Sequence, residues 1–461
     1  MNPELSLSLR GEILRANDPG YEEARKIHNG MIDRRPAVIA RCTCREDVIA
    51  AVRFARDRGS IVSVRGGGHG VAGFAVCDGG IMIDLSPMRA VAVDPATKAV
   101  RVEGGATWGD VDPETARFGL ATTGGLARPT GVAGLTLGGG HGFLMRKYGL
   151  ACDNLVSAEL VDADGHIVAA SREAHPDLFW AIRGGGGNFG IAINLEFRLH
   201  DIAPVLGGLL IYPLENAQAV FRTYRELTAS APDELGSLAV VGTMPNGAAV
   251  VVVMVCFCGD PSTGEQLLRP LRVCAPLVSD QVGPIAYSAL QRIVENFNPR
   301  GLRNYWKSSF LADISGAAVE TLVEGFSGAI GPFSHIVIEH LGGAVARVPA
   351  AATAVAHRHD LYNLNVVGMW SDQTHDEAAI AWVRGIWQRM QSFATGGIYV
   401  NYLGMDLEGR PDTIKAVYPP ETYTELLRVK QKYDPGNFFR LNHNIRPEGG
   451  VSGTGDSRTM A

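Results

Sequence analysis

VRGGGHGVAGFAVCDGGIMIDL, the run Val64–Leu85, holds three consecutive glycines, a histidine and a fourth glycine between two short apolar strands. Its Gly68–Gly73 portion matches G-x-G-x-x-G letter for letter. The nicotinamide dinucleotide motif needs a strand before that loop and a helix after it, because the helix N-terminus holds the pyrophosphate. Here the chain runs on through Cys77-Asp78-Gly79-Gly80 into another strand, Ile81–Asp84. A second literal match, Gly185–Gly190, follows a helical segment and precedes a strand, the reverse order. A nicotinamide-binding Rossmann domain is therefore not expected. Gly-rich loops can instead bring backbone close to a ligand and nest phosphate oxygens among their own N–H groups. One such loop would be a tight turn. Several, one with an embedded histidine, suit a bulky extended dinucleotide lying across them.

Working outward, Pro36–Arg41 reads as a strand, and Arg45–Arg58 sets Val48, Ala51, Val52 and Ala55 at helical spacing before Gly59. Strands are expected at Ile61–Arg65, Val91–Val93, Ala99–Glu103, Val156–Asp162, Ile167–Ala170 and Ile191–Leu199, with helices at Trp108–Phe118 and Pro176–Arg183. The character changes near Pro204. Longer apolar strands (Leu209–Leu214, Ala248–Cys258, His335–Leu341, Leu361–Trp370) then alternate with amphipathic helices (Ala217–Leu227, Ala317–Phe326, Glu377–Phe393). This predicts an antiparallel sheet backed by helices. From Gly397 a strand and a helix near Tyr423–Gln431 are expected, and the tail 448–461 reads as disordered.

The 461 residues are too many for one core, so two domains are expected. There are 56 glycines, where ordinary usage of about 7% would give about 32, and they cluster in the first 200 positions. The net charge of −6 offers nothing to nucleic acid or an anionic membrane. No leader sequence or membrane span is expected, and seven cysteines, an odd number, fit reduced thiols in a cytoplasm. No metal is expected. Cys42 and Cys44 lack a second pair, and His335, Glu339 and His340 do not form a helical H-E-x-x-H; on a strand 335 and 339 share a face while 340 points away.

The Val64–Leu85 run resembles the flavin-attachment loop of the berberine bridge enzyme-like oxidases, within the vanillyl-alcohol oxidase superfamily. GGLARPTGVAGLTLGGGHGFLMRKYGLACDNL (Gly124–Leu155) resembles the second flavin loop of that family, and PDLFWAIRGGGGNFG (Pro176–Gly190) the third. YVNYLG (Tyr399–Gly404) and YDPGNFFRLNHNI (Tyr433–Ile445) resemble its closing signature. The match spans nearly the whole chain in order. It implies an α+β, two-domain PCMH-type FAD-binding fold: residues 1–203 completed by 397–447 hold FAD, and 204–396 form the antiparallel-sheet substrate domain.

The resemblance also implies roles. His69 bonds covalently to the flavin, and neutral imidazole is a reasonable nucleophile for that link. A second link, from cysteine in some relatives, falls on Ala127 and is not expected. Arg65, Gly66, Gly67, Gly68, Gly70, Gly131, Gly134, Gly138, Gly139, His141, Gly142, Asn154, Asn442 and Asn444 fall in the flavin-binding runs. Thr130 takes the position of the oxygen gatekeeper, where threonine keeps nearly the shape of valine. Tyr402 is the expected base, on a strand face shared with Val400 and opposite Tyr399 and Asn401. A phenol titrating near about 10 needs a cation to lower it, with Arg347, Lys307 and Arg358 as candidates. Glu339, His357 and Trp370 are candidates for the substrate pocket. The implied reaction is oxidation of a small alcohol, amine or secondary-metabolite intermediate, with hydride passing to flavin N5 and dioxygen taking the electrons to give hydrogen peroxide. Two other readings stand beside it: a flavin dehydrogenase with another acceptor, and an electron-transfer module without its own substrate.

Overall fold

The computed structural model describes residues 9–295, 297–405, 414–415 and 417–447. The expectation for the tail 448–461 lies outside the described residues. The first sheet runs Glu12–Leu14, Val38–Arg41, Ile81–Asp84, Val62–Arg65, its last three strands parallel. The helix Arg45–Asp57 makes the first crossover, burying Val48, Ala51, Val52 and Ala55, and Gly59 beyond its end adopts φ 61°. The return from Val62–Arg65 to Ile81–Asp84 has no helix; the histidine-bearing glycine loop fills it. This topology is the reason the literal dinucleotide motif misleads.

The second sheet orders Val91–Asp94, Ala99–Glu103, Ile191–Arg198, Leu155–Val161 and Ile167–Ser171, all antiparallel. Trp108–Ala116 packs beside it, with a Thr107–Asp110 capping box at its start.

The third sheet is the largest. Its path is Ser279–Asp280, Val205–Pro213, Ala249–Phe257, Leu235–Thr243, His335–His340, Tyr362–Trp370 and Arg303–Leu311, every pair antiparallel. Helices Ala217–Ala229, Gly316–Phe326 and Asp376–Met390 cover its back, where Tyr212, Phe221, Leu322, Ile338 and Val383 share one core. Its front looks toward the glycine loops. Glu12–Leu14 falls in a lead-in expected to be helical or irregular, the short strand Ser279–Asp280 was not expected, and two long strands were not legible in sequence. Leu235–Thr243 carries glycines at 236 and 242, and Arg303–Leu311 sets Asn304, Lys307, Ser308 and Ser309 among its apolar residues. Tertiary pairing on both sides overrides these weak signals.

One expectation is corrected. Val400–Tyr402 is a turn of 3₁₀-helix, not a strand. Its i to i+3 geometry brings Tyr399 and Tyr402 edge to face at 5.0 Å, where strand alternation would have set them on opposite faces. Among the described residues no helix is long and apolar enough to cross a membrane.

Candidate active site

A cavity of about 980 Å³ lies between the front of the third sheet and three glycine loops. Gly66–Gly68, His69 and Gly70 form one wall, Thr130, Gly131 and Gly134 another, and Gly186, Gly187 and Gly190 a third; Asn442 and His443 close the end. Two of these loops touch backbone to backbone. A Cβ on Gly67 would lie 2.4 Å from Gly131 N, and one on Gly131 would lie 2.4 Å from Gly67 N. Only glycine fits at both positions. Gly68 and Gly186 also take φ of 66° and 71°, where side chains are strained. This is a cradle of exposed backbone of the kind phosphates need. Asn442 Oδ1 and Asn444 Oδ1 are buried beside it without a partner. The site therefore fits an extended dinucleotide such as FAD.

His69 lies in the cavity wall with its ring stacked on His28, centroids 4.0 Å apart. Asn298 Nδ2 is 3.4 Å from its Nε2. Desolvation, with His28 and Arg300 nearby, holds the imidazole well below its ordinary value, which favours the neutral ring. Ala127 and Thr130 also line the cavity.

The polar corner of the cavity gathers residues from distant segments. Glu339 Oε1 accepts a 2.8 Å bond from the Tyr402 phenol. Its Oε2 lies 2.9 Å from His141 Nδ1 and accepts from Asn363 Nδ2 at 2.7 Å. Burial by itself raises the Glu339 carboxyl, but the His141 ring and the bonds from His141, Asn363 and Tyr402 bring it below the ordinary glutamate value. Desolvation and the Glu339 charge hold the Tyr402 phenol well above its ordinary value. The pair is thus a neutral donor beside an ionised acceptor. Tyr399 stacks flat on His141 at 3.8 Å, and its hydroxyl accepts from Gly140 N and His141 N at 2.8 and 3.3 Å.

Several expected positions stand elsewhere. Arg65 does not line the cavity: its guanidinium pairs with Asp84 at 2.5 Å and donates to the carbonyls of Ala24 and Lys26. Gly138, Gly139 and Gly142 are also outside the wall. They shape the turn that presents His141; a Cβ on Gly142 would meet Gly124 O at 1.9 Å, and one on Gly138 the Asn401 amide at 2.0 Å. Asn154 bonds the carbonyls of Tyr148 and Leu150, and His200. Asn444 flanks the wall without joining it. The substrate-pocket expectation is corrected for two residues. Trp370 is buried against the helix side with its indole on Asp376, and His357 stacks on Phe310 away from the cavity. No expected cation reaches Tyr402. Arg347 pairs with Asp233, Arg358 with Asp153, and Lys307 lies over the Trp387 ring. A carboxylate stands where a cation was expected. Sequence reasoning missed Asn363, Tyr399 and His28, since nothing local to these residues shows that they meet Glu339, His141 and His69.

A family model described as an FAD binding domain matches residues 36–171, and one described as berberine and berberine like matches residues 398–446. The chain is 32% identical to (R)-6-hydroxynicotine oxidase of Paenarthrobacter nicotinovorans, over 96% of this chain and 98% of that protein. An FAD-linked oxidoreductase of Dictyostelium discoideum is 30% identical, over 96% of each chain. The crystal structure of 6-hydroxy-D-nicotine oxidase from Arthrobacter nicotinovorans superposes with a TM-score of 0.86 at 30% identity, covering 95% of this chain and 98% of that one.

Proposed function

The chain belongs to the berberine bridge enzyme-like family of FAD-linked oxidoreductases, and from that membership and the cavity above we propose that it is an oxidase of a small organic alcohol or amine. FAD, when bound, supplies a flavin ring that takes hydride at N5 and passes the electrons to dioxygen, giving hydrogen peroxide. The chain supplies grip, orientation and proton handling. The loops at Gly66–Gly70, Thr130–Gly134 and Gly186–Gly190 would hold the dinucleotide, with Asn442 at its end. His69 would tether the flavin covalently, and Ala127, lacking a nucleophile, leaves that link single. Thr130, small and β-branched, would leave room for dioxygen.

Tyr402 is the base in this reading, and the charge beside its phenol is that of Glu339. Its oxygen accepts the proton of the substrate hydroxyl or amine while its own proton passes to Glu339 Oε1. Neither residue then has to hold an unfavourable charge in advance, since the phenol stays neutral and the carboxylate is already ionised. His141 and Asn363 fix the carboxylate for that transfer. The observation that carries the proposal is the 2.8 Å bond from Tyr402 to Glu339 inside a glycine-lined cavity. We divide the chain into an FAD-binding part, 1–203 with 397–447, and a substrate part, 204–396. Seven free thiols support a cytoplasmic setting.

Anaerobic mixing with substrate tests the reading. Flavin absorbance should bleach, then return on admitting air with one equivalent of hydrogen peroxide. Bleaching that air does not reverse but a dye does would favour a dehydrogenase. Lack of any substrate-dependent bleaching would favour an electron-transfer module.

A further inference from the structure

The wall formed by the third sheet is divided chemically. Directly opposed residues of antiparallel strands lie on one face, and the register defines two rows across the cavity ceiling. In one, Ile211 opposes Val252, Val252 opposes Val240, Val240 opposes Val337, and Val337 opposes Asn365. In the other, Leu209, Met254 and Leu238 lead in the same way to Glu339 and Asn363. The aliphatic stretch spans four adjacent strands in the first row and three in the second, and ends at a carboxylate and two carboxamides. Val240, Val252 and Val337 line the cavity and are only half-buried, so apolar surface there remains for a ligand to cover.

The charge lining is equally lopsided. Among the described residues, no lysine, arginine or aspartate lines the cavity, and Glu339 is its sole carboxylate. An anionic substrate would meet that carboxylate in a desolvated site where the imidazole beside it, His141, is already engaged by Glu339. A polyhydroxylated one would press hydroxyls against aliphatic side chains that offer them no partner.

We propose that the substrate is an apolar alcohol or amine without negative charge, its single polar end at Tyr402 and its body lying along Val337, Val240 and Val252. The polar end donates the proton that Tyr402 takes, and the neighbouring carbon carries the hydride. The apolar body supplies the binding energy by leaving water. The placement of the reacting end rests on the oxidase reading; the apolar selectivity rests on the sheet alone.

The test is calorimetric titration of the FAD-loaded enzyme with straight-chain alcohols and amines of increasing length, their ω-carboxylated analogues and a neutral disaccharide. Flavin absorbance is recorded anaerobically in parallel. In the better of the alcohol and amine series, Kd should fall about fourfold per added methylene. The carboxylated analogues should bind at least tenfold more weakly, and the disaccharide least of all. Val240→Asn should weaken the longest member at least tenfold, and the near-isosteric Val252→Thr should weaken it in the same direction if the first variant folds poorly. A flat dependence on length in both series, carboxylated analogues binding equally well, or the disaccharide binding best would each overturn the proposal. Graded binding without bleaching by any member supports the substrate class and counts against the oxidase reading. Bleaching by the disaccharide alone does the reverse.

Discussion

The Tyr402 phenol donates to Glu339 Oε1 at 2.8 Å, across 63 positions of sequence, while His141 and Asn363 hold the other carboxylate oxygen. The phenol stays protonated and the carboxylate ionised, so Glu339 is the open acceptor for a proton relayed through Tyr402. Tyr402→Phe should slow flavin bleaching by about 10²- to 10⁴-fold, with substrate Kd little changed. Glu339→Gln should do about the same, and the double variant should be no worse than either single one, because both act in one step. Stopped-flow absorbance measures this; bleaching of Glu339→Gln at the wild-type rate would sink the relay. Because Glu339 is held below the ordinary carboxylate value and Tyr402 well above the ordinary phenol value, bleaching governed by this pair should stay level through neutral pH.

His69 is the proposed tether. Acid precipitation of purified protein should leave the yellow colour in the pellet. His69→Ala should release it to the supernatant, while the native variant still takes up FAD through the glycine loops. Colour that partitions into the supernatant from the wild-type protein would exclude the covalent bond.

Gly67 has Gly131 N against the place its Cβ would occupy, at 2.4 Å. Gly67→Ala should therefore separate two loops of the FAD cradle, giving protein with little flavin. Gly70→Ala, where a Cβ meets nothing of the protein within 4 Å, should retain more. The ratio of flavin to protein absorbance decides it, and equal ratios for both variants would count against the cradle.

Asp112 is buried beside Gln291, its Oδ2 unpartnered, and burial holds its carboxyl up at about 7 despite Gln291 and Arg128. An unfolded aspartate titrates near about 3.9. The native state thus keeps a proton that the unfolded chain gives up. Stability from this group is complete below about pH 4 and declines as pH rises to about 7, by on the order of 1.4 kcal/mol per pH unit. Asp112→Asn should remove that slope. Thermal midpoints at about pH 5 and about pH 8 should differ less in the variant; identical differences would refute the assignment.

Lys430 is fully buried, donating to Asp434 at 2.6 Å and to the carbonyls of Asn188 and Phe439. Asp434 in turn accepts from the N–H groups of Phe438 and Phe439. The pair fastens the C-terminal run that carries Asn442 and His443 onto the third glycine loop. Lys430→Met strands the Asp434 charge and should cost about 3–5 kcal/mol. Urea unfolding should shift to lower concentration, with flavin fluorescence rising in the same transition. An unchanged midpoint would mean the pair does not hold this corner.

Much of this protein was written in local pattern. The helix Arg45–Asp57 follows from the spacing of Val48, Ala51, Val52 and Ala55, and the strands flanking the histidine loop from short apolar runs bounded by glycine. The glycine loops themselves were legible because a strained φ or a backbone contact leaves glycine as the residue that fits, and that requirement is visible in one dimension. The tertiary structure decided the rest. Whether Tyr402 sits on a strand or a 3₁₀ turn, and whether its partner is Arg347 or Glu339, depends on packing among segments distant in sequence, where each pairing is one of many that the charges allow. Asn363 reaches Glu339 only because two strands align in one register, and a shift of one residue would turn its side chain to the helix face. Sequence by itself determined which residues must be small, apolar or nucleophilic. The folded chain determined which of them meet, because contact is a property of register and closure, and neither is encoded at any single position.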